Sequence, residues 1–385
     1  MAVKILATAD NHLGFRQYGL VQRERDIEDS FKSILELAVR ENADAITVSG
    51  DILHSIRPTA ATIGFLKECN TFLEKNNIPC LVSIGNHDLS KPHWLTNINN
   101  NDGSGFEEVG FIVLDDESFD LHGINVFGAT FSSKEEFDQG KNVPRDSDLV
   151  LMHQPFEEFA SFPNDKLFTC DDLLYLPKDA LVVVGDIHVN RTFHCPNADG
   201  NKPLTVISPG STELISESEQ DDKHVFKITF AKDSVEDGEV FKATGVTTTN
   251  LPIKTRKILR LEIRNEKDFE SCVSLLKEKE STTPLVFLKF STSVENVMTR
   301  LRTIFDISKL IIRPKPIVEY NGEEIVRGEN DRGELTVADV LADIMPTNSP
   351  TYALTTRLLD PEADVHSVVD AFVDARLKEI DDGRS

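Results

Sequence analysis

The chain has little that would carry it across a membrane or hold it together covalently. No apolar run approaches the roughly 20 residues that a membrane helix needs. Met1 to Asp10 pass from one lysine and a short apolar stretch straight into acids, without the charged start, long apolar middle and small-residue cleavage site of a secretory leader. They read as a buried first strand, and the expected location is the cytoplasm. Cysteine is sparse: Cys69, Cys80, Cys170, Cys195 and Cys272, an odd number with no C-x-x-C pair. A thiolate zinc site is therefore not expected, and five reduced thiols are. Internal repeats and low-complexity segments are absent. Positive charge is in deficit, with a net charge of −24. That argues against wrapping nucleic acid by bulk electrostatics. The deficit is uneven, because residues 251–315 carry 14 Lys/Arg against 8 Asp/Glu.

What is present is a repeated pattern. In the first 210 residues, short aliphatic runs end in polar, metal-capable clusters. Val3 to Ala7 leads to Asp10 and His12, and Ala45 to Val48 leads to Gly50-Asp51. Cys80 to Ile84 leads to Gly85-Asn86-His87-Asp88. Leu149 to Met152 leads to His153, and Leu181 to Val184 to Gly185-Asp186-Ile187-His188. Runs of four or five such residues bounded by Gly or Asp predict buried strands. Helical spacing over 25–42 and 59–76 predicts helices between the first strands. Strands alternating with helices predict an α/β layered fold, in which sites collect at the carboxyl ends of strands.

At 385 residues, two or three domains are expected. The first covers 1–250. A β-α-β-α-β unit of small α+β type follows at 254–320, with helices over 267–279 and 294–305. The charged stretch 320–334 reads as a linker, and residues 334–385 hold two helical stretches. The second of these is amphipathic and suited to packing on its own protein or binding a partner.

The clusters supply four carboxylates, four imidazoles and one amide. A nitrogen and oxygen donor set without thiolate suits Mn²⁺ or Fe²⁺, with Zn²⁺ open. Two ions about 3.5–4 Å apart need a bridging ligand, and Asp51 is placed to be one. The reaction class is then in-line hydrolysis of a phosphoester, with His87 placed to protonate the leaving oxygen.

These residues resemble the calcineurin-like metallophosphoesterases. Within them the resemblance is closest to the SbcD-type nucleases, the meiotic recombination eleven family, and it rests on Ala9-Asp10-Asn11-His12-Leu13-Gly14, Gly50-Asp51-Ile52-Leu53-His54 with Arg57-Pro58, Gly85-Asn86-His87-Asp88, His153, Gly185-x-x-His188 and Ser208-Pro209-Gly210-Ser211. It covers about 215 residues by motif, and the rest by order and size.

The resemblance implies a β-sandwich flanked by helices, a small α+β cap and C-terminal helices. It implies that Asp10, His12, Asp51 and His188 hold one ion, and that Asp51, Asn86, His153 and Asp186 hold the other. Asp88 stands behind them. His87 would be the catalytic histidine, and His54 a second one that positions DNA. The family further implies two Mn²⁺ per subunit, 3′→5′ exonuclease and single-strand endonuclease activity in double-strand break repair, and a homodimer. Its partner would be a coiled-coil ATPase of the SbcC type, bound through 334–385. The cap would contact DNA, with Lys254, Arg256, Lys257 and Arg260 as the basic cluster. One departure is plain: the family has histidine where this chain has Asp186. The ligand set alone also fits other phosphoesters, and Asp186 leaves open a scaffold with a weakened metal site.

Overall fold

The computed structural model describes residues 2–88, 110–161, 165–196, 203–232, 243–305, 310–320 and 323–326. It divides into two compact units, Met1–Arg256 and Lys257–Ser385. The amphipathic helix expected within 334–385 lies outside the described residues.

The first unit is a sandwich of two six-stranded sheets. One contains β1 (Ala2–Thr8), β2 (Ala45–Ser49), β3 (Cys80–Ser83), β4 (Ile112–Leu114), β11 (His224–Lys232) and β12 (Ala243–Pro252), in the order β12-β11-β1-β2-β3-β4. The other contains β5 (Glu117–Leu121), β6 (Ile124–Gly128), β7 (Leu149–Met152), β8 (Leu181–Val184), β9 (Arg191–Cys195) and β10 (Leu204–Ser208), in the order β5-β6-β7-β8-β10-β9.

Central strands are buried on both faces, which is why their sequences are apolar runs rather than alternations. On β1, Ile5 and Ala7 face the second sheet and share a core with Val126, Leu149, Leu151, Leu181 and Val183. Leu6 faces the other way, into a cluster with Ile27, Phe31 and Ile34 of α1 (Val21–Glu41) and Phe65, Leu66 and Leu73 of α2 (Ala60–Lys75). Thr59 caps α2 by accepting the Thr62 amide, which fixes where that helix starts. The second sheet's outer face packs against Phe156, Phe159 and Phe168, and against Phe137 of the one-turn α3 (Lys134–Phe137).

Parallel pairings β1–β2, β2–β3, β6–β7 and β7–β8 bring the carboxyl ends of these strands to one pole. This is where the motif clusters sit.

The second unit is a four-stranded sheet, β13 (Ile258–Ile263), β14 (Leu285–Ser291), β15 (Ile311–Tyr320) and β16 (Glu323–Val326), in that order. Helices α4 (Glu266–Lys279) and α5 (Val297–Ile304) provide Phe269, Cys272, Leu276, Val297 and Leu301 to its apolar core.

Two expectations are corrected. The stretch read as a linker from residue 320 contains β16, which pairs antiparallel with β15 from Tyr320↔Glu323 to Ile317↔Val326. The charge of this stretch concealed a strand of only four residues, Glu323–Val326. The thiols are not all free: Cys170 and Cys195 form a disulfide with a Cα–Cα distance of 5.5 Å, while Cys69, Cys80 and Cys272 are free and buried. The bonded pair is 25 residues apart. Only the fold makes them neighbours, since β9 returns the chain beside the turn that carries Cys170.

Candidate metal centre

The loops after β1 and β2 are laced together by backbone hydrogen bonds. The amides of Asp10, His12 and Leu13 donate to the carbonyls of Gly50, Asp51 and Ile52 at 3.2, 2.9 and 2.9 Å, and the His54 amide donates to Leu13 at 3.0 Å. This ladder holds Asp10, His12, Asp51 and His54 as one piece. Asp10, His12, Asp51 and Asp186 all have positive φ, of 50°, 49°, 52° and 75°. Left-handed backbone is costly for such residues, and concentrated strain of this kind is found where side chains must be aimed.

Two glycines make room. Gly50 has φ +78°, and a Cβ there would lie 2.3 Å from the His153 ring. A Cβ on Gly85 would lie 2.3 Å from Asp51 Oδ1. The glycines of the Gly-Asp and Gly-Asn-His-Asp motifs are therefore demanded by the ligands that crowd against them.

The pocket contains all seven expected ligands. His12 Nε2 and His188 Nε2 face each other at 3.1 Å, and His188 Nε2 lies 3.8 Å from Asp10 Oδ1. His153 Nε2 lies 3.1 Å from Asn86 Oδ1, 3.3 Å from Asp51 Oδ2 and 3.9 Å from Asp186 Oδ1. Two groups, Asp10–His12–His188 and Asp10–Asp51–His153, each have donor atoms close enough to share one ion. Asp51 reaches toward both, with His12 Nε2 3.9 Å from its Oδ2.

Buried atoms without a hydrogen-bond partner among the described residues include Asp10 Oδ2 and His12 Nδ1. An unpaired buried carboxylate oxygen costs more than a lost hydrogen bond, and a cation satisfies it. The donor set is hard oxygen and imidazole nitrogen, which fits divalent ions of the Mn²⁺ kind.

The supporting contacts are specific. His153 Nδ1 donates to the Ser49 carbonyl at 2.8 Å, leaving Nε2 as the donor atom for an ion. Asp88 accepts the Leu53 and Gly85 amides at 3.0 Å each, so it shapes both loops from behind. The Asp186 amide donates to Asp10 Oδ1 at 3.0 Å. His87 Nδ1 donates to the His54 carbonyl at 2.7 Å, and the His87 side chain is 38% exposed, open to a substrate. The His54 ring stacks on His87 on one side and on Phe15 on the other.

Charges in the pocket are strongly coupled. Burial pushes the Asp10 carboxyl up to about 6. Burial, followed by the neighbouring His188, pushes His12 down to about 3. Against the burial that opposes it, the hydrogen bond and charge of Asp51 hold His153 up at about 10. In turn His153 overcomes burial to hold Asp51 down at about 2. Burial and then Asp51 push Asp88 up to about 7, and burial raises Asp186.

Of the basic residues, Lys254, Lys257 and Arg260 are exposed. Arg260 lies over the Phe287 ring at 5.3 Å. Arg256 is placed differently. Its guanidinium bonds Asp26 and its amide donates to Glu213 at 3.0 Å, completing a buried network with Arg23.

Sequence reasoning missed Phe15, Glu219 and Lys223. Phe15 sits one residue past the first motif. Glu219 lies within Glu217-Ser218-Glu219-Gln220-Asp221-Asp222, an acidic run with nothing to single it out.

The calcineurin-like phosphoesterase family matches residues 3–190. The DNA double-strand break repair protein Mre11 of Methanocaldococcus jannaschii is 27% identical, with 79% of this chain and 81% of that protein covered. Its namesake in Sulfolobus acidocaldarius is 24% identical, covering 89% and 90%. That of Methanococcus maripaludis is 26% identical, covering 92% and 95%. Among solved structures, a dimetal phosphatase from Danio rerio aligns at TM-score 0.39 and 12% identity, over 66% of this chain and 99% of its own. The seven clustered side chains all fall within the stretch of the first unit that matches the calcineurin-like phosphoesterase family.

Proposed function

We propose that this chain is a DNA nuclease that processes double-strand breaks by two-metal phosphodiester hydrolysis, with Mn²⁺ as the ion. The observation that carries the reading is the convergence of seven oxygen and nitrogen donors from five strand ends on one pocket, with Asp10 Oδ2 left unpaired inside it. The names of the relatives support DNA as the substrate.

In this reading Asp10, His12, Asp51 and His188 hold one ion. Asp51, Asn86, His153 and Asp186 hold the other. Ions held by these residues would polarise the phosphodiester and lower the pKa of the attacking water. The remaining chemistry belongs to side chains. His87 has its Nδ1 committed to the His54 carbonyl, so Nε2 is the atom that delivers a proton to the leaving oxygen. His54, clamped between Phe15 and His87, holds that ring and positions DNA. Asp186 adds negative charge where the family has histidine. It weakens the ion pair's pull on the phosphate and gives slower, more Mn²⁺-selective hydrolysis. Lys254, Lys257 and Arg260 contribute contacts to DNA phosphates, and Arg256 anchors the segment that carries them. A homodimer and an SbcC-type ATPase bound through 334–385 complete the assembly.

The test is nucleotide release from 3′-labelled linear duplex DNA in Mn²⁺, comparing the wild type with His87→Ala. Release by the wild type alone supports the nuclease and ties it to this pocket. Release by neither, with two ions bound, moves the reading to another phosphoester or to an obligatory ATPase partner. Release by neither, with no ion bound, makes Asp186 the mark of a scaffold.

A further inference from the structure

Five imidazoles face the pocket, those of His12, His54, His87, His153 and His188, and their Nδ1 atoms are treated differently. Those of His153 and His87 meet backbone carbonyls, and that of His12 has no hydrogen-bond partner among the described residues. His188 alone, among these, is hydrogen-bonded through Nδ1 to a carboxylate, Glu219 Oε1 at 2.7 Å. Glu219 is itself built in, with a side chain only 6% exposed. Its Oε1 also accepts the Ser216 amide at 2.8 Å. Its Oε2 accepts Ser211 Oγ at 2.7 Å, the Ile215 amide at 3.2 Å and Lys223 Nζ at 2.6 Å. Lys223, 4% exposed, also donates to Ser211 Oγ at 2.8 Å. Every lone pair on the carboxylate that can be used is used, and its rotamer has no freedom.

Glu219 belongs to none of the donor groups that could share an ion among the described residues. These groups converge on one imidazole nitrogen. A carboxylate can only accept, so it fixes the His188 tautomer with Nδ1 protonated and Nε2 bare. The bare Nε2 then faces His12 Nε2 at 3.1 Å and Asp10. In that tautomer His188 Nε2 can only accept, from His12 Nε2 or from a cation that takes the place of that proton.

We propose that Glu219, braced by Lys223 and Ser211, is a positioning residue for metal binding. It locks His188 as an Nε2 donor and aims it with His12 and Asp10 at one ion. The inference rests on the two-metal reading above and adds to it the segment 211–223, which supplies no ligand. Outer partners of metal-binding histidines change affinity by roughly 10–100-fold when removed.

Mn²⁺ titration of the full chain, read by calorimetry and by the electron paramagnetic resonance of free Mn²⁺, tests this without any turnover. Glu219→Ala is expected to weaken one of two binding events by roughly 10–100-fold and leave the other within about twofold. Glu219→Gln keeps the volume and one acceptor, so it serves if the alanine variant does not fold; its expected loss is severalfold at the same event. In the His188→Ala background, Glu219→Ala is expected to add no further loss. A cycle in which the two losses add, or a folded Glu219→Ala protein with both affinities intact, overturns the proposal and leaves the two-metal reading standing. Wild type that binds no Mn²⁺ overturns both.

Discussion

The two units bury different things. Every polar or charged side chain buried among the described residues lies in the first, from Thr8 to Lys223, and the described core of the second is apolar throughout. Backbone strain is distributed in the same way. The first unit has left-handed residues inside its pocket, whereas among the described residues of the second the non-glycine ones are Thr283 and Asn296, where helical segments end or begin. A fold that only needed stability would bury what the second unit buries, because each polar group taken from water must find a partner. The first unit accepts strain and unpaired atoms at one pole and compensates with two sheets' worth of aliphatic packing. Chemistry is thus assigned to the first unit and a plain folding problem to the second.

The contrast predicts separable effects. The largest is His87→Ala, expected to lower phosphodiester hydrolysis by roughly 10²–10⁴-fold with Mn²⁺ stoichiometry unchanged; loss of an ion would instead make His87 a ligand. Next is Leu276→Ala, a fully buried residue of α4. It should cost about 2–5 kcal/mol of the second unit's stability in a denaturant melt and leave Mn²⁺ affinity untouched. A change in that affinity would break the division.

Mn²⁺ at about a hundred times its Kd should stabilise the first unit by about 2.7 kcal/mol and shift its transition alone. Uptake should also release protons. His153, held up at about 10, is charged without the ion and must become neutral to bind it, so apparent affinity rises with pH. The buffer dependence of the binding enthalpy reads this directly. Smaller still, Asp186→His should raise turnover severalfold and broaden metal use; unchanged rate and preference would remove the electrostatic role given to Asp186. Smallest, Lys254→Glu with Lys257→Glu should flatten the salt dependence of duplex binding by about 0.9 log units per lost phosphate contact.

The pocket was legible in sequence because its polar side chains follow strands. An aliphatic run of four or five residues is hard to read as anything else, and the residue types at its end declare the chemistry. Asp10, His12, Asp51, Asn86, His153, Asp186 and His188 meet in one place for that reason. What was not legible depends on chain return. Glu219 reaches His188 across 31 residues, and Cys170 meets Cys195 through a sheet edge. Arg256 looked like one more cation in a basic run, yet its partner Asp26 is 230 residues away. Local pattern holds the short-range half of an arrangement, and partners brought together only by tertiary contact leave no trace in it.

The amide of Asp186 donates to Asp10 Oδ1, so this position is pinned through its backbone rather than its side chain. Any residue but proline keeps that anchor. The place in the loop therefore survives exchange of the side chain. The laced loops after β1 and β2 offer no such freedom, because an inserted residue would break the amide–carbonyl ladder that joins them. Over evolutionary time, drift in this pocket should run through ligand identity at 186 and stop at changes in length.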